Sequence, residues 1–348
     1  MRNREHSVQR NPKDANSKNR NASPLMSMGD SILTIIPDVH GRSFWRDAVP
    51  NLGRGPLVFL GDYLDPYQPS VFDFDPSVGR ISPEAVIENF REIIQLKKEA
   101  PDKVTLLLGN HDCEYLYGKS VCDVRCDHKN YKLIQGIFRE NKDLFQMAAE
   151  SRRGGKHFVF THAGISIGWM NRHVEGWTTL NMVERLNQLN ADALGTAFPE
   201  ETSFARALSE ADRWRGGDSE YASPIWIDAE ALNDGYQIRD IIQVVGHTAV
   251  WFADEPVIRR NVIYADCRKA LVLGPRGGLR YLDGKKCENR EPDPFHPRPS
   301  RYEAMKPFGI DWFQRPFCRE CGSHDVLIRA GMYVDHWYCL QCHQDALM

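Results

Sequence analysis

The stretch Ser31-Ile32-Leu33-Thr34-Ile35-Ile36-Pro37-Asp38-Val39-His40-Gly41 decides how this chain is read. Residues 31–37 form a short apolar, β-branched run, the pattern of a buried strand. The run stops on Asp-x-His-Gly, so two candidate metal ligands and a glycine stand at the carboxyl end of the strand. The construction returns twice. Residues 57–60 (LVFL) lead into Gly61-Asp62-Tyr63-Leu64-Asp65, and residues 104–108 (VTLLL) lead into Gly109-Asn110-His111-Asp112. Two later histidines occupy similar places, in Thr161-His162-Ala163-Gly164 and Gly246-His247-Thr248, each after a further apolar run.

Between the second and third runs a helix is predicted to open at Ser82. Serine suits the N-cap and Pro83 the first helical position, and Ala85, Val86, Ile87, Phe90, Ile93, Ile94 and Leu96 follow. Strands alternating with helices argue for parallel β-α-β units. In such sheets ligands gather at the carboxyl ends of strands, where glycines let the chain turn sharply and approach closely. Later runs at 158–160, 241–245, 256–264, 270–273 and 278–282 have fewer helices between them, which predicts a second sheet, partly antiparallel. Residues 165–240 hold helical stretches near 176–190 and 203–213 and read as a cap or lateral insertion.

The bulk properties exclude more than they assign. A chain of 348 residues with a net charge of −3 and 26% charged residues has no global pull toward nucleic acid or anionic membrane. No apolar run approaches the roughly 20 residues that span a bilayer. Residues 1–29 are a basic, Asn- and Ser-rich tail with too little apolar surface to offset the entropy of ordering. Met26 and Met28 precede the first strand as alternative starts to Met1. The nine cysteines come without a secretory signal, which favours reduced thiols or metal ligation and a cytoplasmic location.

The ordered set D-x-H-G, G-D-x-x-D, G-N-H-D, T-H-A-G and G-H-T resembles the calcineurin-like metallophosphoesterases. Within them it is most similar to the branch of serine/threonine phosphoprotein phosphatases and symmetrical bacterial diadenosine tetraphosphatases. The motifs span about residues 35–248. The resemblance implies an α/β fold over residues 30–283, with two mixed β-sheets in a sandwich flanked by α-helices. It also implies roles: Asp38 and His40 on a first metal, Asp62 bridging two ions, and Asn110, His162 and His247 completing the second. His111 is then a general acid oriented by Asp65. The chemistry is coherent, because two ions about 3.5–4 Å apart lower the pKa of a bridging water and clamp the phosphoryl oxygens. An imidazole paired with a carboxylate can then protonate the leaving alkoxide. Mixed N/O ligation suits Mn²⁺, Fe or Zn²⁺. Asp112 either supports His111 or caps the helix after it.

The chain departs from the protein phosphatases where they read G-D-x-V-D-R-G. Here Asp65 is followed by Pro66-Tyr67, and Leu108 stands where an Arg usually precedes G-N-H-E. The missing phosphate-gripping cation has three candidate replacements, Arg42, Arg125 and Arg215. Ser223-Pro224-Ile225-Trp226-Ile227-Asp228 is similar to a Leu-Trp-x-Asp segment of the same group, which places residues 210–230 beside the site.

After residue 283 the sequence turns Pro-rich and charged, reading as a linker over 284–316. Residues 317–348 carry Cys318-x-x-Cys321 and Cys339-x-x-Cys342, the spacing of a Cys₄ zinc ribbon holding one structural Zn²⁺. Residues 326–329 and 337–339 suit a short hairpin within it. The leading expectation is a dinuclear-metal phosphoesterase hydrolysing a phosphomonoester, on a phosphoprotein or small molecule, through metal-activated water. The rivals are a dinucleoside polyphosphate or nucleotide hydrolase, and a non-catalytic binding protein whose ribbon contacts protein or nucleic acid.

Overall fold

The computed structural model describes residues 31–66, 81–118, 122, 124–233, 238–248 and 255–287, with the backbone of three short strands at 326–329, 336–339 and 345–347. The first expectation is met in detail. Strands β1 (Leu33–Ile36), β2 (Leu57–Phe59) and β3 (Val104–Leu107) lie side by side and parallel. Helix α1 (Pro83–Glu99) crosses between the last two, and the Ser82 hydroxyl accepts the Ala85 N–H at 3.2 Å. Lys97 and Lys98 in its last turn complement the helix dipole. Helices α2 (Asn110–Tyr117) and α3 (Tyr131–Glu140) follow, and β4 (Phe145–Gln146) adds a fourth parallel strand.

Strands β5 (Ala149–Arg153) and β6 (Lys156–Phe160) start the second sheet. Helices α4 (Ile167–His173), α5 (Met182–Leu194) and α6 (Ser203–Leu208) form the insertion, with a short α7 (Ala229–Asn233). Strand β7 (Ile242–Val245) then returns parallel to β6, followed by β8 (Val257–Arg259) and β9 (Val262–Tyr264). The run at 256–264, read from sequence as one strand, is a hairpin that turns at Arg260 with φ 51°.

The last two strands of the domain also correct the sequence reading. Strands β10 (Leu271–Leu273) and β11 (Leu279–Tyr281) were expected in the second sheet, yet β10 pairs antiparallel with β1. The first sheet therefore runs β11-β10-β1-β2-β3-β4 and the second β5-β6-β7-β9-β8. Both are mixed. The physical reason is that β1 would otherwise present an unpaired edge, which β10 covers. Hydrogen bonding continues to Cys287, whose N–H reaches the Leu279 carbonyl at 3.2 Å.

Strand periodicity divides the core. Leu33, Ile35, Val58, Leu107, Leu271 and Leu273 face Phe158, Phe160, Val244 and Ile263 of the other sheet. The alternate residues Ile36, Leu57, Phe59, Val104 and Leu106 pack on the helical side with Val86, Phe90 and Ile93. Burial on both faces explains why these strands read as continuous apolar runs. No helix among the described residues is long and apolar enough to cross a membrane.

The C-terminal strands β12 (Val326–Arg329), β13 (His336–Cys339) and β14 (Asp345–Leu347) form an antiparallel sheet, with Val326 opposite Cys339. Cys339 closes β13; Cys318, Cys321 and Cys342 lie outside the described residues, as do the basic tail and nearly all of the expected linker.

The helical side of the core is closed by aromatic rings. Phe90 lies 4.6 Å from Phe138 and stacks 5.5 Å from Tyr63, the residue after Asp62. Phe90→Ala is expected to cost about 3–5 kcal/mol, read as a lower denaturant midpoint at unchanged slope. A loss under about 1 kcal/mol would show that this cluster does not brace the loop.

Candidate metal centre

The five motif strands deliver their side chains to one place. Parallel β1, β2 and β3 end together, placing Asp38 and His40, then Asp62, then Asn110 and His111 at one sheet edge. Parallel β6 and β7 end together and supply His162 and His247. Backbone strain marks the same spot. His40, Asp62, Asp65 and His247 all have positive φ, at 44°, 52°, 58° and 61°. Among the described residues only Arg260 and Arg268 share this trait outside glycine, so the strain is concentrated at the site.

Two groups of donor atoms result, Asp38 with His40 and Asp62, and Asp62 with His162 and His247, each within 4.8 Å. They share Asp62. Its Oδ2 lies 3.6 Å from His40 Nε2 and 3.5 Å from His162 Nε2, while its Oδ1 accepts the His111 N–H at 3.1 Å. The Asp38 carboxylate accepts the His247 N–H at 3.0 Å. Two glycines make room: a Cβ on Gly109 would stand 2.1 Å from Asp62 Oδ1, and one on Gly246 2.0 Å from Asp38 Oδ1.

The chemistry of these donors tests whether a cation fits. His40 Nδ1 bonds the Leu64 carbonyl at 2.9 Å and His162 Nδ1 bonds the Leu60 carbonyl at 2.8 Å. A carbonyl only accepts, so each Nδ1 carries a proton and each ring turns its Nε2 toward Asp62. His162 Nε2 also stands 3.0 Å from Asn110 Oδ1 and 3.1 Å from His247 Nδ1. His40 and His162 thus turn Nε2 atoms, and Asn110 an amide oxygen, toward the Asp62 carboxylate and each other. Two donors on a common ion with bonds of about 2.0–2.2 Å stand about 3–3.5 Å apart, close to the spacings observed. The residues fit divalent cations.

Burial reinforces this. It pushes Asp62 up to about 7, with the Asp38 charge adding to the shift. Burial also drives His40 well below its ordinary value, helped by His111, Arg42 and Arg125. His247 falls in the same way, with Arg215 the next cause. A cation would offset the burial cost of the carboxylate and match the neutral imidazoles.

Beside these donors His111 Nδ1 bonds Asp65 Oδ2 at 3.1 Å, and its ring meets that of His40 edge-on at 5.2 Å. The three candidate arginines are all near. Arg42 is buried, with Nη1 3.5 Å from the Asp38 carbonyl. Arg215 pairs with Asp228 at 2.9 Å and donates to Thr248 Oγ1 at 2.5 Å, one residue beyond His247. Arg125 Nη1 donates to the carbonyls of Asp65 at 2.5 Å and Pro66 at 2.8 Å, so it grips the loop carrying Asp65. Residues 210–230 lie beside the site as expected, with the Trp226 ring 6.0 Å from that of His247.

Asp112 proves to be a clamp. Its Oδ2 accepts the N–H of Asp62 at 2.7 Å and of Gly109 at 2.8 Å, and its Oδ1 that of Tyr63 at 3.1 Å. It caps α2 and ties the second motif to the third. Sequence reasoning missed Tyr115, whose hydroxyl donates to Asp65 Oδ1 at 2.7 Å. The signal was available, because Tyr115 and His111 are four residues apart on a helix and share a face.

Clustered carboxylates and imidazoles able to hold a metal define the site, and a family model identifies the class. Residues 33–257 match the family model described as calcineurin-like phosphoesterase. The chain belongs to the calcineurin-like phosphoesterases, hydrolases acting on phosphoester bonds. Similar solved structures include a cold-active protein-tyrosine phosphatase of a psychrophilic Shewanella species, 18% identical with a TM-score of 0.43, covering 74% of this chain and 81% of that one. Another structure of a cold-active protein tyrosine phosphatase is 20% identical with a TM-score of 0.40, covering 73% and 79%. A protein serine/threonine phosphatase from Saccharomyces cerevisiae is 12% identical with a TM-score of 0.38, covering 76% and 78%.

The glycine cradle gives a direct check. Gly246→Ala is expected to weaken Mn²⁺ binding by about tenfold or more while the protein still unfolds cooperatively. Unchanged Mn²⁺ affinity by calorimetry would mean that Asp38 does not need this close approach.

Proposed function

We propose that the protein hydrolyses phosphomonoesters, on a small molecule or a phosphoprotein, at a dinuclear metal centre. Asp38, His40 and Asp62 would hold one ion; Asp62, Asn110, His162 and His247 the other, with Mn²⁺, Fe or Zn²⁺ the fitting metals. The observation that carries the reading is the single Asp62 Oδ2 lying 3.6 Å and 3.5 Å from the Nε2 atoms of two histidines that belong to different donor groups. Bound ions supply Lewis acidity at the phosphoryl oxygens and an activated water.

The chain's own residues account for the other requirements. Leu60 and Leu64 carbonyls fix the tautomers of His162 and His40. Asp112 sets the backbone that aims Asp62. Arg42 and Arg215 supply positive charge for the phosphate, while Arg125 holds the Asp65 loop and adds charge beside it. His111, with Nδ1 on Asp65, has its Nε2 free to hand a proton to the leaving oxygen.

Outside the centre, we assign one structural Zn²⁺ to Cys318, Cys321, Cys339 and Cys342, supported by their spacing and by the β12–β13 pairing between the two cysteine pairs. Cys113, Cys122, Cys126, Cys267 and Cys287 form no disulfide, which suits a reducing, cytoplasmic setting.

A panel of p-nitrophenyl phosphate, a phosphodiester and diadenosine tetraphosphate with Mn²⁺ tests the reading. The monoester is expected to turn over fastest, EDTA to abolish activity, and Asp62→Asn to lower kcat by about a hundredfold or more. Faster cleavage of diadenosine tetraphosphate would transfer the proposal to nucleotide hydrolysis. No turnover of any substrate would end the enzymatic reading.

A further inference from the structure

We propose that Tyr115 is a positioning residue of the His111–Asp65 pair, holding the Asp65 carboxylate so that one of its oxygens is reserved for His111. The inference rests on the reading of His111 as proton donor. Asp65 has two carboxylate oxygens with separate duties. Oδ2 takes His111 Nδ1 at 3.1 Å; Oδ1 takes the Tyr115 hydroxyl at 2.7 Å and the Asp127 N–H at 3.1 Å. The same Asp127 N–H also points at the Tyr115 oxygen, 2.8 Å away. With a lone pair of that oxygen so engaged, the hydroxyl proton is directed onto Asp65. Tyr115 is fully buried, and burial together with the Asp65 charge pushes its pKa up, so it stays a donor.

The arrangement follows from the helix and the loop around it. His111 and Tyr115 project from one face of α2 and reach the two oxygens of one carboxylate. Asp65 sits at φ 58°, a conformation that needs outside support, and Arg125 supplies it through the Asp65 and Pro66 carbonyls. Without the hydroxyl, Oδ1 keeps one backbone donor and the carboxylate can rotate. The His111 ring then loses its fixed partner.

The consequence is chemical. As the oxygen of an attacking water bonds to phosphorus and its proton passes to solvent, the ester phosphorus–oxygen bond breaks; its electron pair goes to the leaving oxygen, which takes the proton from His111 Nε2. The imidazolium becomes neutral imidazole and keeps Nδ1–H on Asp65. A leaving group that is stable as an anion needs this proton little; a poor one needs it fully.

The test uses Mn²⁺-loaded full-length protein with phenyl phosphate, a poor leaving group, and p-nitrophenyl phosphate, a good one. Tyr115→Phe is expected to lower kcat about tenfold for phenyl phosphate and less than about twofold for p-nitrophenyl phosphate, with KM unchanged. His111→Asn should show the same dependence on the leaving group, more strongly. In the His111→Asn background Tyr115→Phe should cost less than about twofold, whereas a purely structural role would lower activity again. Equal losses on both substrates, no loss, or additive losses in the double variant would overturn the role of Tyr115. Leaving-group dependence absent from His111→Asn itself would overturn the proton-donor reading, and the Tyr115 proposal with it. Equal melting temperatures and manganese contents for wild type and Tyr115→Phe are expected; a variant that unfolds early or loads less metal counts against a positioning role.

Discussion

A carboxylate pushed up to about 7 by burial, with neutral imidazoles turned toward it, is an electrostatic arrangement that needs positive charge. Asp62 is that carboxylate. Its Oδ1 accepts the His111 N–H, while Oδ2 faces the Nε2 atoms of His40 and His162. The rest of the centre serves this constraint. Carbonyls of Leu60 and Leu64 fix the rings, glycines at 109 and 246 let backbone come within contact of the carboxylates, and Asp112 pins the Asp62 backbone from below.

Fold and site are connected through the strand ends. Because β1, β2 and β3 are parallel to one another, and β6 and β7 likewise, residues more than two hundred positions apart arrive at one locus on the strands' carboxyl ends. The cost is local strain: four site residues other than glycine take left-handed backbone conformations. Asp112, the arginine grip on residues 65–66 and the aromatic packing of Tyr63 hold that strain in place.

Much of this was legible in the sequence, for a physical reason. Strands buried on both faces must be apolar throughout, so runs such as LTIIP and LVFL stand out, and ligand residues directly after them are visible as motifs. The Ser82-Pro83 helix start was equally plain. Sheet membership of β10 and β11 was not, since their apolar pattern suits either sheet and only the need to cover the β1 edge decides it. The hairpin at Arg260 was hidden because its turn lacks glycine or proline. Arg125 illustrates another limit: it grips the Asp65 carbonyl from sixty positions away, and no local spacing announces that contact, whereas Tyr115 could be reached only through its four-residue spacing from His111.

Sharing of Asp62 by two ions is read out by electron paramagnetic resonance of the Mn²⁺-titrated protein. After removal of all metal and re-addition of Mn²⁺, the expected result is an exchange-coupled pair signal that Asp62→Asn abolishes. A signal from isolated, uncoupled Mn²⁺ at every stoichiometry would mean that Asp62 does not bridge two ions.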